Sequence, residues 1–126
     1  MILEKAEFQA TIPATDLDRA RRFYEGKLGL SPERVMDVGV IYRFGKNTAF
    51  FLYPSATAGA GHTLGSWFVD EIESSVQELR DLGIEFEEYD YPDLKTIDAV
   101  ADLGAELAAW FKDSEGNILA VSHLKG

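Results

Sequence analysis

The stretch Ala14-Thr15-Asp16-Leu17-Asp18-Arg19-Ala20-Arg21-Arg22-Phe23-Tyr24 decides the fold. Leu17, Ala20, Phe23, Tyr24 and, just beyond, Leu28 recur every three to four residues. That spacing predicts a helix with one apolar stripe, leaving Arg19, Arg21, Arg22 and Glu25 off it. Thr15 or Asp16 stands where a side-chain oxygen caps a first turn. Leu28-Gly29-Leu30 follows, with Gly29 placed to end the helix in a left-handed residue.

The same arrangement returns later in the chain. Glu71-Ile72-Glu73-Ser74-Ser75 opens a second helical pattern with Ile72, Val76, Leu79 and Leu82 on one stripe, closing on Leu82-Gly83-Ile84. Asp70 with Glu73 three residues on predicts a capping-box start. Outward from each helix the chain reads as strands. Phe8–Pro13 precedes the first helix, and Arg34–Val38, Val40–Phe44 and Ala49–Tyr53 follow it. Thr63–Val69 precedes the second, and Glu85–Tyr89, Leu107–Lys112 and Ile118–His123 follow it. The order is β-α-β-β-β twice.

The expected fold is therefore α+β, a single domain of residues 1–126 made of two tandem βαβββ modules. Module one covers residues 5–54, a small-residue linker 55–62, and module two 63–124. Asp90 to Gly104 is an insertion in the second module. It reads as a lid or binding loop, or as a partly helical spacer that packs Leu94, Ile97, Ala101 and Leu103 on the sheet.

Composition narrows the function classes. The chain is 46% hydrophobic and 27% charged, in the globular range. It has no cysteine, which excludes disulfides, zinc-thiolate sites and thiol nucleophiles and fits a cytoplasmic protein. The start Met1-Ile2-Leu3-Glu4-Lys5 shows no signal peptide, and the longest apolar run, Ala49-Phe50-Phe51-Leu52-Tyr53, is strand-sized. A net charge of −10 repels phosphate backbones and anionic headgroups, so neither nucleic acid nor membrane is an expected partner. A cationic or neutral ligand is easier to accommodate.

The helix quoted above, closing on Leu28-Gly29-Leu30, together with Trp110-Phe111-Lys112-Asp113-Ser114-Glu115-Gly116-Asn117-Ile118-Leu119, resembles the vicinal oxygen chelate superfamily of glyoxalases, dioxygenases and bleomycin-resistance proteins. The first segment is similar to that superfamily's D-L-x-R-A-x-x-F-Y helix, the second to its F-x-D-P-D-G-N hairpin, with Ser114 in place of the usual Pro. The resemblance implies a curved mixed sheet that closes two modules around a cleft. It also implies, in metal-dependent members, ligands from the first and last strand of each module, holding an ion that stabilises developing oxyanion charge.

Carried onto this sequence, those four positions fall on Gln9, on Phe51 or Leu52 depending on register, on Leu64 and on Ala120. Only Gln9 offers a donor. Divalent ions need nitrogen or oxygen ligands, so no cofactor is expected. A divalent metal held by Gln9, His62 and a carboxylate from the Asp90 loop is the weak alternative. His123 lies an odd number of residues from Ala120, on the opposite strand face. No serine sits in a nucleophile-elbow context.

In place of ligands the strands carry aromatic groups. Tyr42 and Phe44 share one face of their strand, Phe51 and Tyr53 one face of theirs, and Trp67 and Trp110 lie on strands of module two. Each is either a core residue or a wall of a small-molecule site. The expected ligand-binding set is Gln9, Tyr42, Phe44, Phe51, Tyr53, Leu64, Ser66, Trp67, Trp110 and Ala120. In the run Glu85-Phe86-Glu87-Glu88-Tyr89-Asp90, one carboxylate can face inward to meet a ligand cation, or the run forms a solvated outer face.

The leading functional reading, taken with the resemblance to the bleomycin-resistance branch, is a metal-free protein that binds a planar or aromatic small molecule. The alternative is a glyoxalase- or dioxygenase-type enzyme, a lyase, isomerase or ring-cleaving oxygenase, with displaced metal ligands or with a carboxylate or tyrosine as acid/base. A third reading is an interaction module with an occluded cleft. The resemblance also implies a homodimer, which covers open sheet edges.

Overall fold

The computed structural model describes residues 1–126, in two compact units, Met1–Ala58 and Gly59–Gly126. The division falls inside the small-residue stretch between the modules. Each unit is one four-stranded mixed sheet with a helix on one face, so the chain is α+β.

In the first unit β1 (Ala10–Ala14) leads to α1 (Leu17–Arg21), then β2 (Arg34–Met36), β3 (Gly39–Phe44) and β4 (Thr48–Pro54). The strand order is β1-β4-β3-β2, with β1 parallel to β4 and the other pairs antiparallel. Asp16 is the residue that caps α1, its carboxylate accepting from the Arg19 amide at 3.0 Å. Beyond Arg21 the helix widens into π-helical turns over Arg22–Lys27, where the Leu28 N–H reaches the Phe23 carbonyl. Alternation along the strands buries Ile12, Ala14, Val40, Tyr42, Phe50 and Leu52. They meet Ala20 and Tyr24 of the helical segment, with the Tyr24 ring 5.2 Å from Phe50 and 5.8 Å from Tyr42. Burial of each of the larger aliphatic and phenyl side chains among them contributes about 1.5–3 kcal/mol.

The second unit runs β5 (Thr63–Phe68), α2 (Ile72–Asp81), β6 (Asp90–Tyr91), β7 (Leu94–Lys95), β8 (Ala101–Asp102), β9 (Glu106–Lys112) and β10 (Ile118–Leu124). Its sheet has the order β5-β10-β9-β8, with β5 parallel to β10. Ile72 and Val76 of α2 pack on Ala109 and Val121 of the sheet and on Ala99, flanked by Trp67, Leu79 and Phe86. α2 starts one residue later than the capping box requires. Glu71 takes the N-cap position without a side-chain cap, and Ser75 Oγ donates to its carbonyl at 2.7 Å. The helix ends as expected at Gly83, whose φ of 93° lets the Ile84 N–H return to the Leu79 carbonyl at 3.0 Å.

The second unit departs from the expected strand pattern after α2. Glu85–Tyr89 forms no strand, only a single bridge between Phe86 and Phe111. The fourth strand of the sheet comes instead from β8, at the end of the insertion. The insertion contains no helix, which corrects the helical-spacer reading. It folds as the β6–β7 hairpin, then as a tight turn at Asp98 and Ala99 with φ of 50° and 76°. Both oxygens of Glu88 accept from the Ala99 N–H at 3.0 Å, and the Ala99 methyl is fully buried in the core. Ala101 is buried as expected, whereas Ile97 is 83% exposed.

No helix is long and apolar enough to cross a membrane.

Candidate functional site

The β9–β10 turn holds the residues that most resemble a family motif, and its role here is architectural. Asp113 Oδ1 accepts from the amides of Glu115 at 2.8 Å and Asn117 at 2.9 Å, and Asp113 Oδ2 accepts from Asn117 Nδ2 at 2.9 Å. Asn117 Oδ1 in turn accepts from the Gly59 N–H at 3.0 Å, tying down the start of the unit. All three side chains are buried, and buried carboxylates need such donors.

The candidate surface is, in each unit, the sheet face away from the helix, and strand register decides what it carries. In the first unit Phe51 pairs with Thr11 on one side and Ile41 on the other. Leu52, the alternative register position, is fully buried among the helix-facing residues. In the second unit Ala120 pairs with Ser66 on one side and Trp110 on the other. Leu64 is the extra residue of a β-bulge, because Thr63 pairs with Ile118 and Gly65 with Leu119.

Around Phe51 the face is aromatic. Its ring lies parallel to that of Tyr53, 6.1 Å away with 9° between planes. The Phe51 ring rests on the backbone of Gly39 in β3. A β-carbon on Gly39 would sit 2.7 Å from Phe51 Cζ and 2.8 Å from Cε1, and would overlap the Leu52 carbonyl oxygen. Gly39 also has φ of 150°, which L side chains rarely adopt. Gln9, just before β1, opens on a recess of about 280 Å³ shared with Glu7, Phe8, Arg43, Asn47 and Ala49.

Around Ala120 the face combines an aromatic corner with hydroxyls. The Tyr89 ring stands edge-on to Trp110 at 5.6 Å, and Tyr91 stacks on Tyr89 at 6.2 Å. Ser66 and Ser122 share a hydrogen bond of 2.6 Å between hydroxyls. Beyond Tyr89 lies an open hollow of about 490 Å³ lined by Glu88, Asp90, Lys95, Thr96, Ile97 and Asp98.

Phe51, Tyr53, Ser66, Trp110 and Ala120 thus lie on the faces away from the helices, with Gln9 and Leu64 at strand margins. Tyr42, Phe44 and Trp67 do not join them. Tyr42 and Phe44 face α1, 5.4 Å and 5.2 Å from the Phe50 ring. Trp67 packs under α2, parallel to Phe111 at 6.2 Å. Period-two alternation separates Trp67 from Ser66 and Tyr42 from Ile41, and sequence could not say which parity met the helix. The Tyr42 hydroxyl donates to Glu25 Oε2 at 2.7 Å, and Arg21 Nε donates to the same oxygen at 2.7 Å. Burial, then the Glu25 hydrogen bond, raises the Tyr42 phenol, while the Arg21 hydrogen bond holds the Glu25 carboxyl below its ordinary value.

Two residues of this surface escaped the sequence reading, Tyr89 and Ser122. Tyr89 lies in the acidic stretch, and its contact with Trp110 depends on how that segment crosses β9. Ser122 carried no motif, and only the β5–β10 register brings it to Ser66.

A metal of the fold's metal-dependent members does not fit here. Gln9, Phe51, Leu64 and Ala120 supply one amide and three hydrocarbon groups. No three His, Cys, Asp or Glu side chains converge as a ligand set. His62 is exposed ahead of β5, and His123 Nδ1 bonds the Val69 carbonyl oxygen at 2.9 Å.

Comparison with solved structures identifies the architecture. UcmS2 superposes with a TM-score of 0.72 at 18% identity, covering 93% of this chain and 96% of its own. A glyoxalase/bleomycin resistance protein/dioxygenase from Alicyclobacillus acidocaldarius matches with a TM-score of 0.68 at 18% identity, over 96% and 92% of the two chains. The fold is the glyoxalase/bleomycin-resistance/dioxygenase fold. TnmS3, an antibiotic-binding protein from Streptomyces sp. CB03234, shares it with a TM-score of 0.64 at 16% identity, over 95% and 96% of the two chains. No family model matches the sequence, and no curated protein matches it. Within this fold the paired positions Phe51 and Ala120 are where the resemblance places last-strand metal ligands, and here they are hydrocarbon.

Proposed function

We propose that this chain is a metal-free small-molecule-binding protein of the glyoxalase/bleomycin-resistance type that holds a planar or aromatic ligand. The observation that carries the reading is the exchange of chemistry at matched register positions: Phe51 and Ala120 offer apolar surface flanked by Tyr53 and Trp110. Stacking on one ring adds about 0.5–1.5 kcal/mol beyond burial, so the ring pair of a single unit, Phe51 with Tyr53 or Trp110 with Tyr89, together with apolar burial reaches micromolar affinity. The antibiotic-binding role of TnmS3, a protein of the same fold, supports a binding rather than a catalytic use of these faces.

The test is a fluorescence titration with planar aromatic compounds in excess chelator, with elemental analysis of the dialysed protein alongside. Saturable binding without metal is expected. About one zinc, iron, nickel or manganese per chain, or turnover of a thioester, epoxide or hydroxy-ketone with no planar binder found, overturns the reading in favour of the enzyme.

A further inference from the structure

The acidic run before the insertion sets one carboxylate across the ladder from Trp110. Phe86 bridges Phe111, and the Glu87 N–H donates to the Trp110 carbonyl at 2.8 Å. Glu87 therefore stands opposite Trp110, and residues opposed across an antiparallel pair share a face. Its carboxylate rises on the indole side of the sheet, away from α2. Tyr89, two residues on, shares that side and meets the indole edge-on. The Tyr89 phenol is raised above its ordinary value by burial and then by the nearby Glu87 charge.

Glu88 and Asp98 are tied to other parts of the unit, and Asp90 lies further out in solvent. Glu88 holds the Ala99 amide and the Thr96 hydroxyl, Asp98 pairs with Arg80 at 3.0 Å, and Asp90 faces Lys95 at 3.6 Å. Glu87 faces the ammonium of Lys112 at 3.5 Å, longer than a charge-assisted hydrogen bond, and the Lys112 side chain is 55% exposed. Such a loose, wet pair contributes little and exchanges readily.

We infer that this face selects a flat aromatic ligand bearing a cationic nitrogen, with Glu87 as its counter-charge, the Trp110 and Tyr89 rings as its aromatic corner and Lys112 displaced into solvent. The inference rests on the small-molecule-binding reading above and adds the ligand's charge. A carboxylate beside two ring faces attracts a cation twice, by its charge and through the ring quadrupoles. An anionic ligand gains neither and meets a chain of net charge −10.

The experiment compares three probes on one tricyclic frame, aminoacridine (protonated at neutral pH), acridone (neutral) and acridine carboxylate (anionic), by calorimetric titration in chelator at low salt. Aminoacridine is expected to bind about tenfold tighter than acridone, and the carboxylate weakest. Glu87→Gln removes the cation's advantage and leaves acridone affinity unchanged; Lys112→Gln increases the advantage. Both variants are checked for an unaltered melting temperature. Equal affinity for the three probes, or an advantage that persists in Glu87→Gln, overturns the charge assignment while acridone binding leaves the binding reading standing. Binding of none of the three sinks both.

Discussion

Phe51 and Ala120 hold the same register position in their two units. Each pairs in parallel with the first strand of its unit, at Thr11 and Ser66, and in antiparallel fashion with a neighbouring hairpin strand, at Ile41 and Trp110. The repeat thus extends to individual backbone pairs, while the side chains differ. One unit fills the position with a ring, and the other leaves it small beside a ring.

The ring at Phe51 depends on the bare backbone of Gly39. Gly39→Ala is expected to cost about 1–3 kcal/mol, because the new methyl overpacks against Phe51 and the backbone keeps a positive φ. Denaturant melts measure it. Phe51→Leu in the same chain recovers part of the loss, since the ring contacts vanish while the Leu52 carbonyl contact stays. Full stability of Gly39→Ala alone would show that the ring does not rest there.

The two tryptophans have opposite roles. Trp67→Ala removes a core ring from under α2 and is expected to destabilise the protein by about 3–5 kcal/mol. Trp110→Ala leaves the helix-facing core intact, costs less in stability and abolishes the emission change caused by planar ligands. Thermal melts and titrations of the two variants separate the effects, and the reverse pattern would exchange the two faces.

The Arg21–Glu25–Tyr42 cluster predicts an acid-sensitive contribution to stability. The folded state holds the Glu25 carboxyl below its ordinary value, chiefly through the Arg21 hydrogen bond. Its stabilisation is therefore complete above the unfolded value of about 4.3 and is lost as pH falls through the lower folded value. Glu25→Gln should lower the denaturation midpoint at pH 7, and the gap to the parent protein should close in strong acid. A gap constant from neutral to acid pH would exclude Glu25 as its source.

We propose a homodimer in solution, which the fold resemblance implies. The apolar side chains of Met1, Ile2, Leu3 and Phe8 in the first unit are 68–88% exposed and offer surface for a second copy to cover. Light scattering at micromolar concentration should give twice the 14.0 kDa chain mass. A value at the single-chain mass rules the dimer out.

The amino-acid sequence by itself determined the two helices, the β-α-β-β-β order and the absence of metal donors at the carried-over positions. These depend on local periodicity, on glycine at helix ends and on residue identity, all of which are written along the chain. Only the tertiary structure decided which strand parity faces the helix, and so moved Tyr42, Phe44 and Trp67 into the cores and left Phe51 and Trp110 on the other face. It also replaced the expected Glu85–Tyr89 strand with β8, brought Ser122 to Ser66 and set Glu87 beside Trp110. The physical reason is the same in each case. A strand's alternation says that its two faces differ, but which face is buried, and which distant residue stands across the ladder, is set by pairing with chain far away in sequence.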